Sequence, residues 1–278
     1  MDDTGAADPL TSMSPAAQAW FRRAFEAPTP AQVGAWSAIA AGEHTLVIAP
    51  TGSGKTLAAF FSALDRLATE ATPEKSRRTR VLYISPLKAL AVDVQRNLRA
   101  PLAGLRQESA RAGRPEPDIR IGVRTGDTPP AERRRLVSRP PDILITTPES
   151  LFLLLTSSAR ESLRSIDTVI IDEIHAVAGT KRGAHLALSL ERLEELLDRP
   201  AQRIGLSATV RPPEEVARFL TGGRPARVVE APVDKDLLID VVVPVEDMTM
   251  PEAEAAGAPS VSVLDGEETP QLPPEGTA

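Results

Sequence analysis

The segment Ala49-Pro-Thr-Gly-Ser-Gly-Lys-Thr56 carries the densest chemistry in this chain. Gly52 and Gly54 let the backbone curl until its N–H groups face a common centre, as a phosphate requires. Thr51 and Ser53 place small hydroxyl residues in the same turn. Lys55 can reach the β- and γ-phosphates of a nucleoside triphosphate, and the Thr56 hydroxyl can hold Mg²⁺. Ala49 stands where the general pattern has its first glycine; it is small, and Gly-Lys-Thr is intact. A second centre is Val169-Ile-Ile-Asp172-Glu173-Ile-His175. Triphosphate hydrolysis needs one carboxylate for the metal and one group to orient or deprotonate water. Asp172 suits the first task and Glu173 the second. Read alone, the pair also suits a helix start, where acids complement the helix dipole, and His175 suits capping or packing.

These residues need elements that deliver them to one place. Short Val- and Ile-rich runs occur at 45–49, 81–85, 120–124, 142–146, 168–172, 203–207 and 227–230. Continuous apolar runs of this length are expected as strands buried on both faces. Between them lie helical patterns; from Ala184 to Leu197, Leu186, Leu190, Leu193 and Leu197 recur at spacings of three or four. Alternating strands and helices predict an α/β fold with a mostly parallel sheet of about seven strands, and ligands beyond the strands' carboxyl ends. The chemistry-bearing residues stand just after the runs.

Composition bounds the reading. The chain has 278 residues with 42% hydrophobic and 25% charged, enough for one large domain. Aromatics are only 3%, so the core must be mainly aliphatic. With no cysteine, a disulfide scaffold, a thiolate zinc site and a cysteine nucleophile are excluded. No apolar run approaches the length of a membrane span, and the acidic start lacks the features of a signal peptide. A soluble, cytoplasmic protein with no membrane partner is expected. The net charge of −6 is uneven: residues 241–278 hold eight acids and no Lys or Arg. Setting those aside leaves 32 basic against 30 acidic residues over 1–240, so the acidic balance does not exclude nucleic acid. Three regions are expected: a flexible N-terminus over 1–14, a folded domain over 15–245, and an acidic, Pro-rich linker or disordered tail over 246–278.

The longer strings narrow the field. Ser85-Pro-Leu-Lys-Ala-Leu90, Arg124-Thr-Gly-Asp-Thr128, Pro141-Asp-Ile-Leu-Ile-Thr-Thr-Pro-Glu-Ser-Leu151, Asp172-Glu-Ile-His-Ala-Val177, Lys181-Arg-Gly-Ala-His-Leu-Ala-Leu-Ser-Leu-Glu-Arg-Leu193 and Ser207-Ala-Thr209 follow the phosphate loop in order. Over residues 15–245 the chain resembles superfamily 2 DEAD/DEAH-type helicases, and within them the large helicase-related (Lhr) family.

The resemblance implies a RecA-like P-loop domain that uses ATP and Mg²⁺. It implies that Gln32, in Pro28-Thr-Pro-Ala-Gln32, reads the adenine edge, with Trp20, Phe21 or Phe25 stacking on the base. It implies that His175, Ser207 and Thr209 couple hydrolysis to domain movement. Nucleic-acid contacts are implied at Pro86, Lys88, Thr125, Gly126, Thr147, Pro148 and Glu149. Arg182 is a further candidate; Arg133-Arg134-Arg135 is expected as a solvated helix face. Small hydroxyl residues, a glycine and a lysine recognise phosphate rather than bases, so single-stranded nucleic acid, DNA before RNA, is the expected partner.

After Thr209 no second series of strands and no Gln-x-x-Gly-Arg-x-x-Arg-like string occurs. The chain is therefore expected to be the first motor domain alone, a truncated product or part of a split protein. A second RecA-like domain would then be a missing partner. Two other readings stay open: a non-catalytic ATP- or nucleic-acid-binding fragment, and a P-loop ATPase acting on protein.

Overall fold

In a computed structural model, residues 8–231 of the chain are described. Each aliphatic run becomes a strand: β1 Thr45–Ile48, β2 Val81–Ile84, β3 Ile121–Arg124, β4 Ile143–Thr146, β5 Thr168–Ile171, β6 Gln202–Ser207 and β7 Arg227–Glu230. They form one sheet in the order β3-β4-β2-β5-β6-β1-β7, with every pair parallel. The helices are α1 Pro15–Ala24, α2 Pro30–Ala40, α3 Lys55–Thr69, α4 Lys88–Asn97, α5 Arg99–Arg111, α6 Pro130–Ser138, α7 Pro148–Leu155, α8 Lys181–Leu196 and α9 Pro213–Thr221.

Successive residues of a strand enter opposite faces of the sheet. Val47, Tyr83, Ile145 and Ile170 join Phe60, Phe61 and Trp36 of α3 and α2 in one apolar cluster. Leu46, Leu82, Leu144 and Ile171 join Leu151, Leu186, Leu190 and Leu220 of α7, α8 and α9 in the other. The five inner strands are buried on both faces, which is why their runs are continuous rather than alternating; the edge strands β3 and β7 are only partly buried.

Helix starts are specified locally. Thr29 and Gln32 form a reciprocal capping box on α2, with Pro30 in its first turn. Thr147 caps α7 and Thr180 caps α8. Helix α3 begins differently: Gly54 is left-handed and offers no side-chain cap, so the first N–H groups stay available.

The flexible start expected over 1–14 differs from the structure at residues 8–14. Asp8 caps a single turn over Pro9–Ser12, Leu10 and Met13 are buried, and the Ser14 N–H donates to Asp65 Oδ2 at 2.7 Å. Two isolated apolar residues in a polar stretch show no period, so only their packing partners reveal them. The expected boundary at 245 and the segment 246–278 lie outside the described residues.

Candidate functional site

Strand order divides the carboxyl edge of the sheet into two halves. The loops after β5, β6 and β1 carry Asp172-Glu173, Ser207-Ala-Thr209 and the phosphate loop on three adjacent strands. The loops after β3, β4 and β2 carry Thr125-Gly126, Thr147-Pro-Glu149 and Pro86-Leu-Lys88 on three further adjacent strands, with β7 at the far edge. The halves meet between β2 and β5.

The phosphate loop is folded on itself. Lys55 Nζ donates to the carbonyls of Ala49 at 2.5 Å and Pro50 at 2.8 Å, and Ser53 Oγ donates to Pro50 O at 2.7 Å. Thr51 and Gly52 are exposed, whereas Lys55 is buried. Burial lowers the Lys55 amine from its usual range, and the nearby Glu173 and Asp172 charges oppose that shift. The two acidic residues therefore lie within electrostatic reach of the lysine. Thr29 Oγ1 donates to Ser53 O at 2.9 Å, tying the capping box to the loop. Gln32 is buried there: its Oε1 accepts from Thr29 N at 3.0 Å, and its amide nitrogen lies against Gly54.

Asp172 closes β5. Its Oδ1 accepts from the Glu173 N–H at 3.0 Å, and its Oδ2 accepts from the Tyr83 hydroxyl. Glu173 has φ +44°, the one described non-glycine residue in the left-handed region. A non-glycine residue there is costly and persists where surrounding contacts impose it. Its carboxylate lies 3.4 Å from His175 Nδ1. Nδ1 also meets Ser207 Oγ at 3.3 Å and the Ala208 N–H at 3.3 Å. His175 thus joins the acidic loop to the end of β6. Thr209, by contrast, is exposed and makes no side-chain hydrogen bond among the described residues.

Among the described residues there is no cluster of three His, Asp or Glu able to hold a metal alone. Mg²⁺ takes one or two protein oxygens and completes its shell with phosphates and water. Thr56 and Asp172 supply hard oxygen donors of this kind. No described helix is long and apolar enough to cross a membrane.

In the second half, Lys88 Nζ pairs with Asp127 Oδ1 at 2.7 Å beside Gly126, bringing two of the motifs together. Thr125 is buried: its N–H donates to Thr128 Oγ1 and its Oγ1 accepts from the Asp127 N–H, which tightens the turn. Arg133 departs from the expected solvated face. Its Nε donates to Thr128 O at 2.7 Å and its Nη2 to Gly126 O at 2.8 Å, bracing the loop, while Arg134 and Arg135 are exposed. Thr147 and Pro148 are buried at the start of α7, where Thr147 acts as the cap. Glu149 is exposed and gripped in a fork by Arg182, with the Nη2–Oε2 contact at 3.0 Å. The guanidinium holds the Glu149 carboxyl below its usual range.

Of the three aromatics expected near the base, Phe21 is buried in the core. The Trp20 indole packs so close to Gly104 of α5 that no Cβ fits there. Phe25 is the exposed one. Sequence reasoning missed Tyr83 and Arg133. Tyr83 left a faint signal: it is the chain's only tyrosine, set inside an aliphatic strand.

The DEAD/DEAH box helicase family matches residues 29–218. The chain is 66% identical over 245 residues to the Lhr helicase/probable uracil glycosylase of Mycolicibacterium smegmatis, covering 88% of this chain and 16% of that protein. It is 59% identical over 249 residues to the Lhr helicase/uracil glycosylase of Escherichia coli, again covering 88% and 16%. The structure of Mycobacterium smegmatis helicase Lhr bound to ssDNA and AMP-PNP superposes with a TM-score of 0.82 at 65% identity, covering 87% of this chain and 31% of that one. The chain therefore spans about one sixth of the length of these curated relatives.

Proposed function

The chain belongs to the DEAD/DEAH box helicase family, and we propose that it is the nucleotide-binding motor domain of an Lhr-type, ATP-dependent helicase. The observation that carries this reading is the convergence of the phosphate loop, Asp172-Glu173 and Ser207 on β1, β5 and β6, with His175 tied to Ser207. The RecA-like domain is assigned to the folded residues within 15–245, with the turn over Pro9–Ser12 packed onto it, in a cytoplasmic protein.

In this reading the N–H groups of Thr51, Gly52, Ser53, Gly54, Lys55 and Thr56 hold the phosphates at the start of α3. Lys55 exchanges the carbonyls of Ala49 and Pro50 for the β- and γ-phosphates. Thr56 and Asp172 would hold Mg²⁺, which would neutralise charge on those phosphates. Glu173 orients the attacking water and accepts its proton. His175, between Glu173 and Ser207, transmits a change at the carboxylate to β6, with Thr209 exposed to a neighbouring domain. Gln32 reads the adenine edge and Phe25 stacks on the base.

Pro86, Lys88, Thr125, Gly126, Thr147, Pro148, Glu149 and Arg182 form the track for single-stranded nucleic acid, with DNA as the partner. Lys88 offers a charge to phosphates, and buried Thr125 and Thr147 shape the loops that flank it. A second RecA-like domain would supply an arginine finger, whose absence lowers turnover by about 10³–10⁵.

The test is ATP hydrolysis by this chain with and without single-stranded DNA, with Lys55→Ala and Glu173→Gln beside it. Slow turnover that DNA raises and both variants abolish is expected. Mg²⁺–ATP binding that survives Lys55→Ala would overturn the site assignment. Unwinding by this chain alone would overturn the need for a second domain.

A further inference from the structure

We propose that Tyr83 is a positioning residue for the metal-bearing carboxylate, holding Asp172 in register from across the junction between the two halves of the site. The inference rests on the assignment of Asp172 to Mg²⁺ made above.

Register puts the two groups together. Tyr83 lies opposite Ile170 on β5, and Asp172 follows two residues later, so both side chains emerge on the same face of the sheet. The neighbouring strand lies about 4.8 Å away, and the long Tyr83 side chain spans that gap and the two-residue offset along β5. The Tyr83 hydroxyl donates to Asp172 Oδ2. Its ring is fully buried and stacked on Phe60 of α3, with centroids 5.0 Å apart. The hydroxyl is thus fixed by a helix that begins at Lys55 and Thr56.

The chemistry gives the bond a purpose. Asp172 has two oxygens: Oδ1 takes the Glu173 N–H and Oδ2 the Tyr83 hydroxyl. One donor on each oxygen fixes the carboxylate plane and leaves the remaining lone pairs for a metal or its water. Outer donors of this type orient metal-binding carboxylates, and their loss costs about 10–100-fold in metal affinity. A merely structural tyrosine would need a hydroxyl partner but would have no effect specific to metal.

Tyr83→Phe keeps the ring and its stacking and removes the one hydrogen bond. The readout is the affinity of the 278-residue chain for a fluorescent ATP analogue, measured in Mg²⁺ and in EDTA, with Asp172→Asn in parallel. The expected result is a loss of about tenfold or more in the affinity gain produced by Mg²⁺, with affinity in EDTA within about twofold of the parent. If Tyr83→Phe keeps the full gain while Asp172→Asn loses it, the Tyr83 role is refuted and the site assignment stands. If Tyr83→Phe weakens binding equally in EDTA, the tyrosine is structural and the proposal fails. If Asp172→Asn keeps the full gain, the metal assignment itself is wrong and the proposal falls with it.

Discussion

Gly52 and Gly54 share a positive φ and differ in whether a Cβ would meet the capping box, which makes the pair a controlled experiment on the phosphate loop. Their φ values are +83° and +79°. A side chain in this region costs about 1–2 kcal/mol at either position. A Cβ at Gly52 would meet nothing within 4 Å. At Gly54 it would lie 2.6 Å from Gln32 Nε2 and 3.3 Å from Gln32 Cδ. Gln32 must then swing away, and its Oε1 leaves the Thr29 N–H. Losing that half of the capping box adds about 1 kcal/mol. Gly52→Ala is therefore expected to destabilise the chain by about 1 kcal/mol and Gly54→Ala by about 2 kcal/mol in urea unfolding. In a Gln32→Ala background the excess should vanish, a coupling of about 1 kcal/mol. Equal costs for the two substitutions, or an excess that persists without Gln32, would refute the argument.

Two further perturbations test other parts of the molecule. His44 Nδ1 accepts the Arg203 N–H at 3.0 Å, and burial followed by the Arg224 and Arg203 charges lowers its pKa below the ordinary 6.5. The folded state therefore binds fewer protons near pH 6 than the unfolded chain, so stability is present above pH 6.5 and declines as pH falls through the folded value. Urea midpoints at pH 7.5 and 5.5 should diverge for the parent and converge for His44→Gln; an unchanged difference in the variant would exclude His44 as the cause. Lys88→Ala should weaken single-stranded oligonucleotide binding alike for all sequences and reduce the salt slope by about 0.7. Its partner Asp127 is exposed, so the unfolding midpoint should hold; sequence-selective loss would refute a phosphate contact.

Much of the architecture was legible because its signals are local. A fully buried parallel strand reads as an unbroken aliphatic run, as the five inner strands do, and each of the seven runs, including those of the partly buried edge strands β3 and β7, is a strand within about one residue. The phosphate loop was readable because only glycine at 52 and 54 tolerates the required backbone. Sheet order was not readable, since strands of like composition pair by register and crossover geometry. Yet that order puts β1 beside β6 and joins the halves at β2 and β5. Nor could local pattern distinguish Phe21 from Phe25, which differ by burial alone. Arg133 stood in a basic run that suits any solvated helix, and only the loop folding back beneath it turned the arginine into a brace.

The sequence by itself determined which residue types stand after each strand, and hence the chemistry available. The tertiary structure decided which of them meet. Tyr83 reaches Asp172, Arg182 grips Glu149, and His175 joins Ser207, across separations of 89, 33 and 32 positions. The reason is physical: side-chain hydrogen bonds act over about 3 Å, and no local pattern encodes which distant atoms a parallel sheet brings within that range.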